Sequence, residues 1–189
     1  MVILFSGGID STALAWEHRH AEPLLFFVDF GQPARARERD AARAVARRLR
    51  LGLIEHSTIL PGVGAMSGDG PRVMPGRNLA LLSLAVSLAA SKGLSRVQFG
   101  AILDDSRDYP DCRVEFVQAL RETAIIGYGV RVDAPFLHLS KAEVMARLPA
   151  DVLALTWSCY ESRGLYDGPC GTCNSCLLRA SAAMFGAAP

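Results

Sequence analysis

The densest chemistry in this chain lies near its N-terminus, where Ser6, Gly7, Gly8, Ile9, Asp10, Ser11 and Thr12 separate an apolar run, Val2 to Phe5, from a helical pattern beginning at Ala13. A strand that passes straight into a glycine turn and then a helix aims the backbone N–H groups of the turn and of the first helical residues at one point. Those N–H groups have no intrahelical partner and sit at the positive end of the helix dipole, so the point binds anions. Gly7 and Gly8 remove the side chains that would hold a phosphate away from the backbone, and Ser6, Ser11 and Thr12 add hydroxyl donors. The plain alternative is a strand-to-helix turn capped by Asp10 or Ser11. A second group lies toward the C-terminus. Cys159 is followed by ten residues, then Cys170, Cys173 and Cys176 at intervals of three. Four thiolates in this spacing suit a closed tetrahedral zinc site that pins the C-terminal tail to the rest of the fold; an iron–sulfur cluster uses the same donors. Cys112 stands apart and reads as a small packed residue.

The N-terminal turn lacks the lysine of a Walker A loop. It resembles instead the SGGxDS loop of the ATP-pyrophosphatase (PP-loop) superfamily, which holds the departing pyrophosphate while AMP is transferred to a substrate oxygen.

These groups need a scaffold. Residues 2–5, 24–30, 53–57, 96–101 and 130–134 read as strands, and residues 11–20, 34–51, 78–92 and 114–126 as helices. The alternation predicts an α/β fold: a Rossmann-like parallel sheet with helices on both faces, carrying ligands at the carboxyl ends of its strands near the topological switch point. Residues 60–76, rich in glycine and proline, read as a long loop of the kind that often serves function. With 189 residues, half of them apolar, the chain reads as a single domain, residues 1–189, with 156–189 as a zinc-bound extension. A net charge of +1 argues against a dedicated nucleic-acid binder, and the arginines of residues 35–50 read as a solvated helix face. No secretory signal opens the chain and its longest apolar stretch is too short to span a bilayer, so the expected location is the cytoplasm, where disulfides are a poor alternative to a metal site.

Six blocks in order extend the resemblance over nearly the whole chain: the SGG loop, PGRN (Pro75 to Asn78), YPDCR (Tyr109 to Arg113), LSKAE (Leu139 to Glu143), LTWSCY (Leu155 to Tyr160) and CGTCNSCLLR (Cys170 to Arg179). Together they resemble the 7-cyano-7-deazaguanine (preQ0) synthase family of the queuosine pathway. The resemblance implies an ATP-dependent conversion of 7-carboxy-7-deazaguanine and ammonia to the nitrile, with AMP and pyrophosphate released. It implies phosphate binding by Ser6, Gly7, Gly8, Asp10, Ser11 and Thr12, with Asp10 helping to place Mg²⁺, and adenine near Val28 and Gly31. Arg77 would stabilise phosphate charge, Asn78 would cap the following helix and point into the crevice, and Lys141 would contact the phosphates or leaving group. Lys141 also falls in a capping box, with Ser140 as N-cap and Glu143 at N3. For the deazaguanine, Asp111 would read the N–H edge, Tyr109 or Phe99 would stack, and Arg113 would lie near the carboxylate; the plain reading of Asp111 is a turn residue after Pro110. ATP, Mg²⁺ and Zn²⁺ are the implied cofactors. A homodimer is consistent with the apolar helix at residues 79–90. Where the family reads GQRH, this chain has Gly31, Gln32, Pro33 and Ala34, and it has Ser106, Arg107 and Asp108 before Tyr109 where the family has SG. These departures leave open a relative acting on another deazaguanine or acceptor, or a non-catalytic nucleotide-binding subunit.

Overall fold

The computed structural model describes residues 1–61, 74–161 and 168–185. Five strands, β1 (Val2–Leu4), β2 (Leu24–Asp29), β3 (Leu53–Ser57), β4 (Arg96–Gln98) and β5 (Arg131–Asp133), form one parallel sheet in the order β3-β2-β1-β4-β5. Register runs through Val2 opposite Leu24 and Val97, Leu25 opposite Leu53, and Val97 opposite Val132. The inner strands are apolar on both sides because both faces are covered. Val2, Phe26, Val28, Val97 and Val132 pack under α3 (Arg77–Ser91) and α5 (Val114–Tyr128). Ile3, Phe5, Leu25 and Phe27 face the other way, against α1 (Ile9–Glu17), α2 (Arg35–Leu49), α6 (Lys141–Met145) and α7 (Ala150–Leu153). The second core also takes Ala182 from α8 (Asn174–Phe185). The expected doubly covered sheet is therefore present. The chain builds outward from β1 to β3, then returns to the other side of β1 for β4 and β5, so the strand order reverses between β1 and β4 and opens a crevice there.

All five expected strands form, with β1, β2, β4 and β5 trimmed at their ends. The short α4 (Asp105–Asp108), the 3₁₀ turn Pro110–Cys112, α7 and α8 were not expected. The first three hold too few residues for a period to register, and α8 starts inside the cysteine motif, whose spacing hides its helical pattern. The long-loop reading of residues 60–76 lies largely outside the described residues. On α2 three of the arginines are paired with carboxylates: Arg39 with Asp29 and Glu55, Arg43 with Glu55, and Arg48 with Asp151. These pairs are in keeping with a solvated, partly neutralised face.

Two glycines set the crevice's width. Gly7 has φ +74°, and a Cβ there would lie 2.6 Å from the backbone nitrogen of Ala42, so α2 abuts the loop directly. At Gly100, just past β4, a Cβ would lie 2.8 Å from the Ser11 nitrogen and 2.9 Å from the Asp10 carbonyl carbon. Both obstacles are backbone and cannot rotate away. Gly100→Ala should therefore force β4 and α1 apart, destabilising the fold by about 1–3 kcal/mol and lowering Tm by roughly 2–12 °C. Thermal unfolding monitored by circular dichroism checks this; an unchanged Tm would mean that the two elements do not press together at this point.

Candidate active site

The crevice holds a cavity of about 220 Å³ at the carboxyl ends of β1, β2 and β4. At one end lies the SGG turn. Gly8 is the N-cap of α1 and no side chain caps that helix, which leaves its first N–H groups open to a ligand. The serines brace the turn: Ser6 Oγ accepts from Gly8 N at 3.2 Å, and Ser11 Oγ donates to Gly8 O at 3.2 Å and lies 3.3 Å from Ser6 Oγ.

Beside the turn, Lys141 Nζ donates to both carboxylate oxygens of Asp10, at 2.8 and 2.6 Å. Both side chains are mostly buried, 12% and 18% exposed, so the pair is poorly screened and sets the local field. Lys141 is the first residue of α6, and the expected capping box is present, with Ser140 Oγ accepting from Glu143 N and Glu143 accepting from Ser140 N. Asp104, which the sequence reading missed, accepts from Lys141 N at 2.8 Å and so ties the start of α6 to the loop after β4. Arg77, first residue of α3, also lines the cavity.

The far end is aromatic and hydroxylic, built from Phe99, Tyr109, Cys112 and Tyr160, with Asn174 and Ser175 from the start of α8. Tyr109 and Tyr160 share a hydroxyl hydrogen bond, and burial pushes the Tyr109 phenol up. Burial also pushes the Cys112 thiol up to about 12, leaving it a protonated packing group that accepts from Asn78 Nδ2 at 3.4 Å. Asp105 lines the cavity as well.

Of the residues expected at the site, Ser6, Gly8, Asp10, Ser11, Val28, Arg77, Asn78, Phe99, Tyr109 and Lys141 line one cavity. Others lie elsewhere. Gly7 supports the turn from behind, against α2. Thr12 is fully buried, one residue too far along α1 for its hydroxyl to reach the mouth of the helix. Gly31 donates to Asp29 Oδ1, while Gln32 takes the wall position, accepting from Phe30 N at 2.9 Å and donating to Glu38 at 2.8 Å. Asn78 does not cap α3: Gly76 is the N-cap, with φ +75° and no capping side chain. The cap comes from outside the helix, because Asp111 Oδ2 accepts from Asn78 N at 3.2 Å. Asp111 is thus a turn residue in the Pro110–Cys112 segment whose carboxylate meets the positive end of α3 and lies outside the cavity lining. Arg113 is exposed, donates to Ser106 O at 3.1 Å and is also outside the lining.

The sulfur atoms of Cys159, Cys170, Cys173 and Cys176 all lie within 4.8 Å of one another. Backbone N–H groups point at them: Glu161 N at 3.3 Å and Cys170 N at 3.4 Å from Cys159 Sγ, and Cys173 N at 3.3 Å from Cys170 Sγ. N–H donors of this kind hold the Cys170 thiol down at about 6. Four converging thiol sulfurs with N–H support form a donor set fit to hold a metal.

The cluster is mechanically joined to the SGG turn. Arg179 of α8 donates to Thr156 O, Thr156 Oγ1, Ser158 Oγ and Leu153 O at 2.9–3.2 Å, holding the segment that carries Trp157. Trp157 N in turn donates to Gly7 O at 3.0 Å, and its indole N–H donates to Cys159 O at 2.8 Å.

The sheet order and the strand–SGG–helix junction define a PP-loop type α/β protein, and solved structures share the fold. One is the U34-tRNA thiolase NcsA from Methanococcus maripaludis with its [4Fe-4S] cluster (TM-score 0.59, 16% identity, covering 97% of this chain and 63% of that one). Another is a predicted subunit of tRNA methyltransferase from Methanocaldococcus jannaschii (TM-score 0.52, 18% identity, covering 76% and 70%). The sequence profile of the family described as Queuosine biosynthesis protein QueC matches residues 52–185. Relatives named 7-cyano-7-deazaguanine synthase include one from Porphyromonas gingivalis, 34% identical over 91% of this chain and 88% of that protein. Another, from Methanospirillum hungatei, is 34% identical over 92% and 90%, and one from a Synechococcus species is 36% identical over 96% and 92%. The chain belongs to the QueC family.

Because Asp104 fixes the first turn of α6, Asp104→Ala should free Lys141 from its register. The expected result is a loss of about 1 kcal/mol in stability, typical of a lost cap, with a rise in KM for ATP that Asp104→Asn, which keeps an acceptor oxygen, largely avoids. Equal KM values for the two variants in steady-state kinetics would detach Asp104 from the site.

Proposed function

We propose that this chain is an ATP-dependent ligase that converts 7-carboxy-7-deazaguanine and ammonia to the 7-cyano product, releasing AMP and pyrophosphate. The observation that carries this reading is the uncapped start of α1 beside the Asp10–Lys141 pair, in a cavity whose other end is aromatic. A carboxylate is a poor electrophile. AMP transfer to its oxygen makes an acyl phosphate that ammonia attacks to give the amide, and a second adenylylation makes the amide oxygen a leaving group.

In this reading the open N–H groups at the start of α1, on the turn that Ser6, Gly8 and Ser11 shape, hold the departing pyrophosphate, and Val28 lies against adenine. Lys141 and Arg77 stabilise charge that builds on the phosphates. Asp10 would hold Mg²⁺, which supplies further charge neutralisation when bound. Phe99 and Tyr109 flank the flat deazaguanine. Asp111 acts through the start of α3, positioning Arg77 and Asn78, rather than by touching the base. The chain works as one unit with residues 156–189 as an extension of it.

For the cysteine cluster we favour a single zinc ion. Tetrahedral Zn–S bonds of about 2.3 Å put sulfur atoms about 3.8 Å apart. The 4.0 Å between Cys170 Sγ and Cys176 Sγ is near that, whereas a four-iron cube, with one cysteine per iron, holds its sulfurs further apart. The role is structural, through Arg179 and Trp157 on the SGG turn.

Incubation with ATP, Mg²⁺, ammonia and the acid should give AMP and pyrophosphate with mass-detected nitrile. Substrate-dependent ADP and orthophosphate would sink the mechanism. Asp10→Ala should abolish AMP formation with folding intact, as judged by circular dichroism. Metal analysis should find one zinc per chain, and serine at any of the four cysteines should lower solubility or Tm more than it alters the chemistry of the protein that still folds. Iron with sulfide in active protein would overturn the zinc assignment.

A further inference from the structure

Proton bookkeeping at nitrogen, within the function just proposed, asks for a group that reading does not name. Ammonia brings three protons to the reacting carbon and the nitrile nitrogen keeps none. One is lost when the amine added to the acyl adenylate becomes the amide. The second C–N bond forms when the amide oxygen is adenylylated, and the other two protons are lost from the resulting R–C(=NH₂⁺)–O–AMP as the C–O bond breaks, its electron pair passing to the phosphate oxygen, and the third C–N bond forms. All three losses happen at one point, so a proton acceptor must stand there.

Among the described residues, the cavity's lining offers few. None of the four histidines, His18, His20, His56 and His138, lines it. Asp10 has both oxygens on Lys141 Nζ. Glu38 already accepts a short hydrogen bond, 2.8 Å from Gln32 Nε2. Phenols and thiols are protonated at neutral pH even before burial pushes Tyr109 and Cys112 higher. Asp105 remains. Its carboxylate accepts one long hydrogen bond, 3.4 Å from Ile102 N. It sits within electrostatic reach of Lys141 and Asp10 at the phosphate end and of Arg77, while Tyr109, Cys112 and Tyr160 at the aromatic end feel its charge in turn. It therefore lines the cavity within reach of both the charged groups beside the SGG turn and the phenols and thiol.

We propose that Asp105 is the base that takes the protons from nitrogen during amide and nitrile formation, passing each to solvent through the mouth of the cavity before the next. Its environment suits the task. Burial, the largest influence, raises the carboxyl to about 6, with Lys141 and Arg77 opposing and Asp10 reinforcing the shift. A base with that affinity is ionised at neutral pH and still accepts protons better than an ordinary carboxylate.

The test separates adenylylation from proton removal. Pyrophosphate exchange into ATP, dependent on the carboxylic acid, reports the first adenylylation, which removes no proton from nitrogen. Conversion of the supplied 7-amido compound to nitrile reports the last two. Asp105→Asn should keep exchange within about threefold of wild type and lose nitrile formation by about 10²- to 10⁴-fold. Asp105→Ala should recover part of the nitrile rate with added formate, a rescue that a merely structural role would not give and that is read in whatever fraction folds. In the wild type the amide-to-nitrile rate should rise with pH through about 6, and in Asp105→Asn that rise should vanish. Nitrile formation by Asp105→Asn at the wild-type rate would overturn the proposal. So would loss of exchange together with nitrile formation in folded Asp105→Asn, which would put the carboxylate on the nucleotide or its metal, and so would formate without effect. If wild type shows no exchange with any deazaguanine acid, the function itself is wrong and this role goes with it.

Discussion

The start of α1 is kept uncapped, and much of the rest of the structure follows from that. Most helices satisfy their first N–H groups with a nearby side chain; here Gly8 supplies none, and Ser6 and Ser11 spend their hydroxyls bracing the turn. Open N–H groups attract an anion, but they also make the turn costly to hold in shape without one. The fold compensates by pressing on the turn from several sides: α2 behind Gly7, the end of β4 under Ser11 through Gly100, and the carbonyl of Gly7 bonded to Trp157. At two of these points the contact is backbone against backbone, which explains why both positions are glycine.

The third support gives the C-terminal cysteine segment its meaning. A four-cysteine cluster could sit anywhere on a surface, yet this one lies two residues from Trp157, and its helix supplies both Arg179 and the cavity-lining Asn174 and Ser175. Arg179 donates to three carbonyl or hydroxyl groups of residues 156–158 and to Leu153 O, so the guanidinium acts as a peg for a loop that has no strand to hold it. A metal held by the four thiols would fix the start of α8, and with it the loop and the SGG turn. Stability at the tail and geometry at the SGG turn are therefore one mechanical problem.

The scaffold was legible because its signals are long or repetitive. Apolar strands covered on both faces, helices with a clear period and an S-x-x-E capping box each specify local structure from a few residues. The cysteine spacing was equally direct. The assignment of carboxylates was not. Asp104, Asp105, Asp108 and Asp111 lie within eight positions of one another, and composition gives no reason to prefer one. The chain path decides: Asp104 meets Lys141 N, Asp105 faces the cavity, and Asp111 meets Asn78 N. Asn78 shows the same limit. The side chain has the chemistry of a cap, but the left-handed Gly76 takes the N-cap position two residues earlier and a carboxylate from a distant turn does the capping.

Asp10 and Asp105 show how one cavity gives two identical side chains different work. Asp10 faces a lysine that its neighbours hold in place, so its charge is compensated and suited to holding a cation. Asp105 is desolvated without a bonded cation, and its folded pKa of about 6 lies above the 3.8 of an ordinary aspartate. Ionising it in the folded state is therefore disfavoured: the cost is absent below about pH 4, grows through pH 6 and is fully present at neutral pH. A residue kept under that penalty by the path of the chain around it, with Asp104 bonded to α6 on one side and the Tyr109 N–H bonded to its own carbonyl on the other, is placed for something other than stability. Proton transfer is the use that such a placement serves, because the same desolvation that weakens the fold raises the carboxylate's affinity for a proton at the point where nitrogen must give three away.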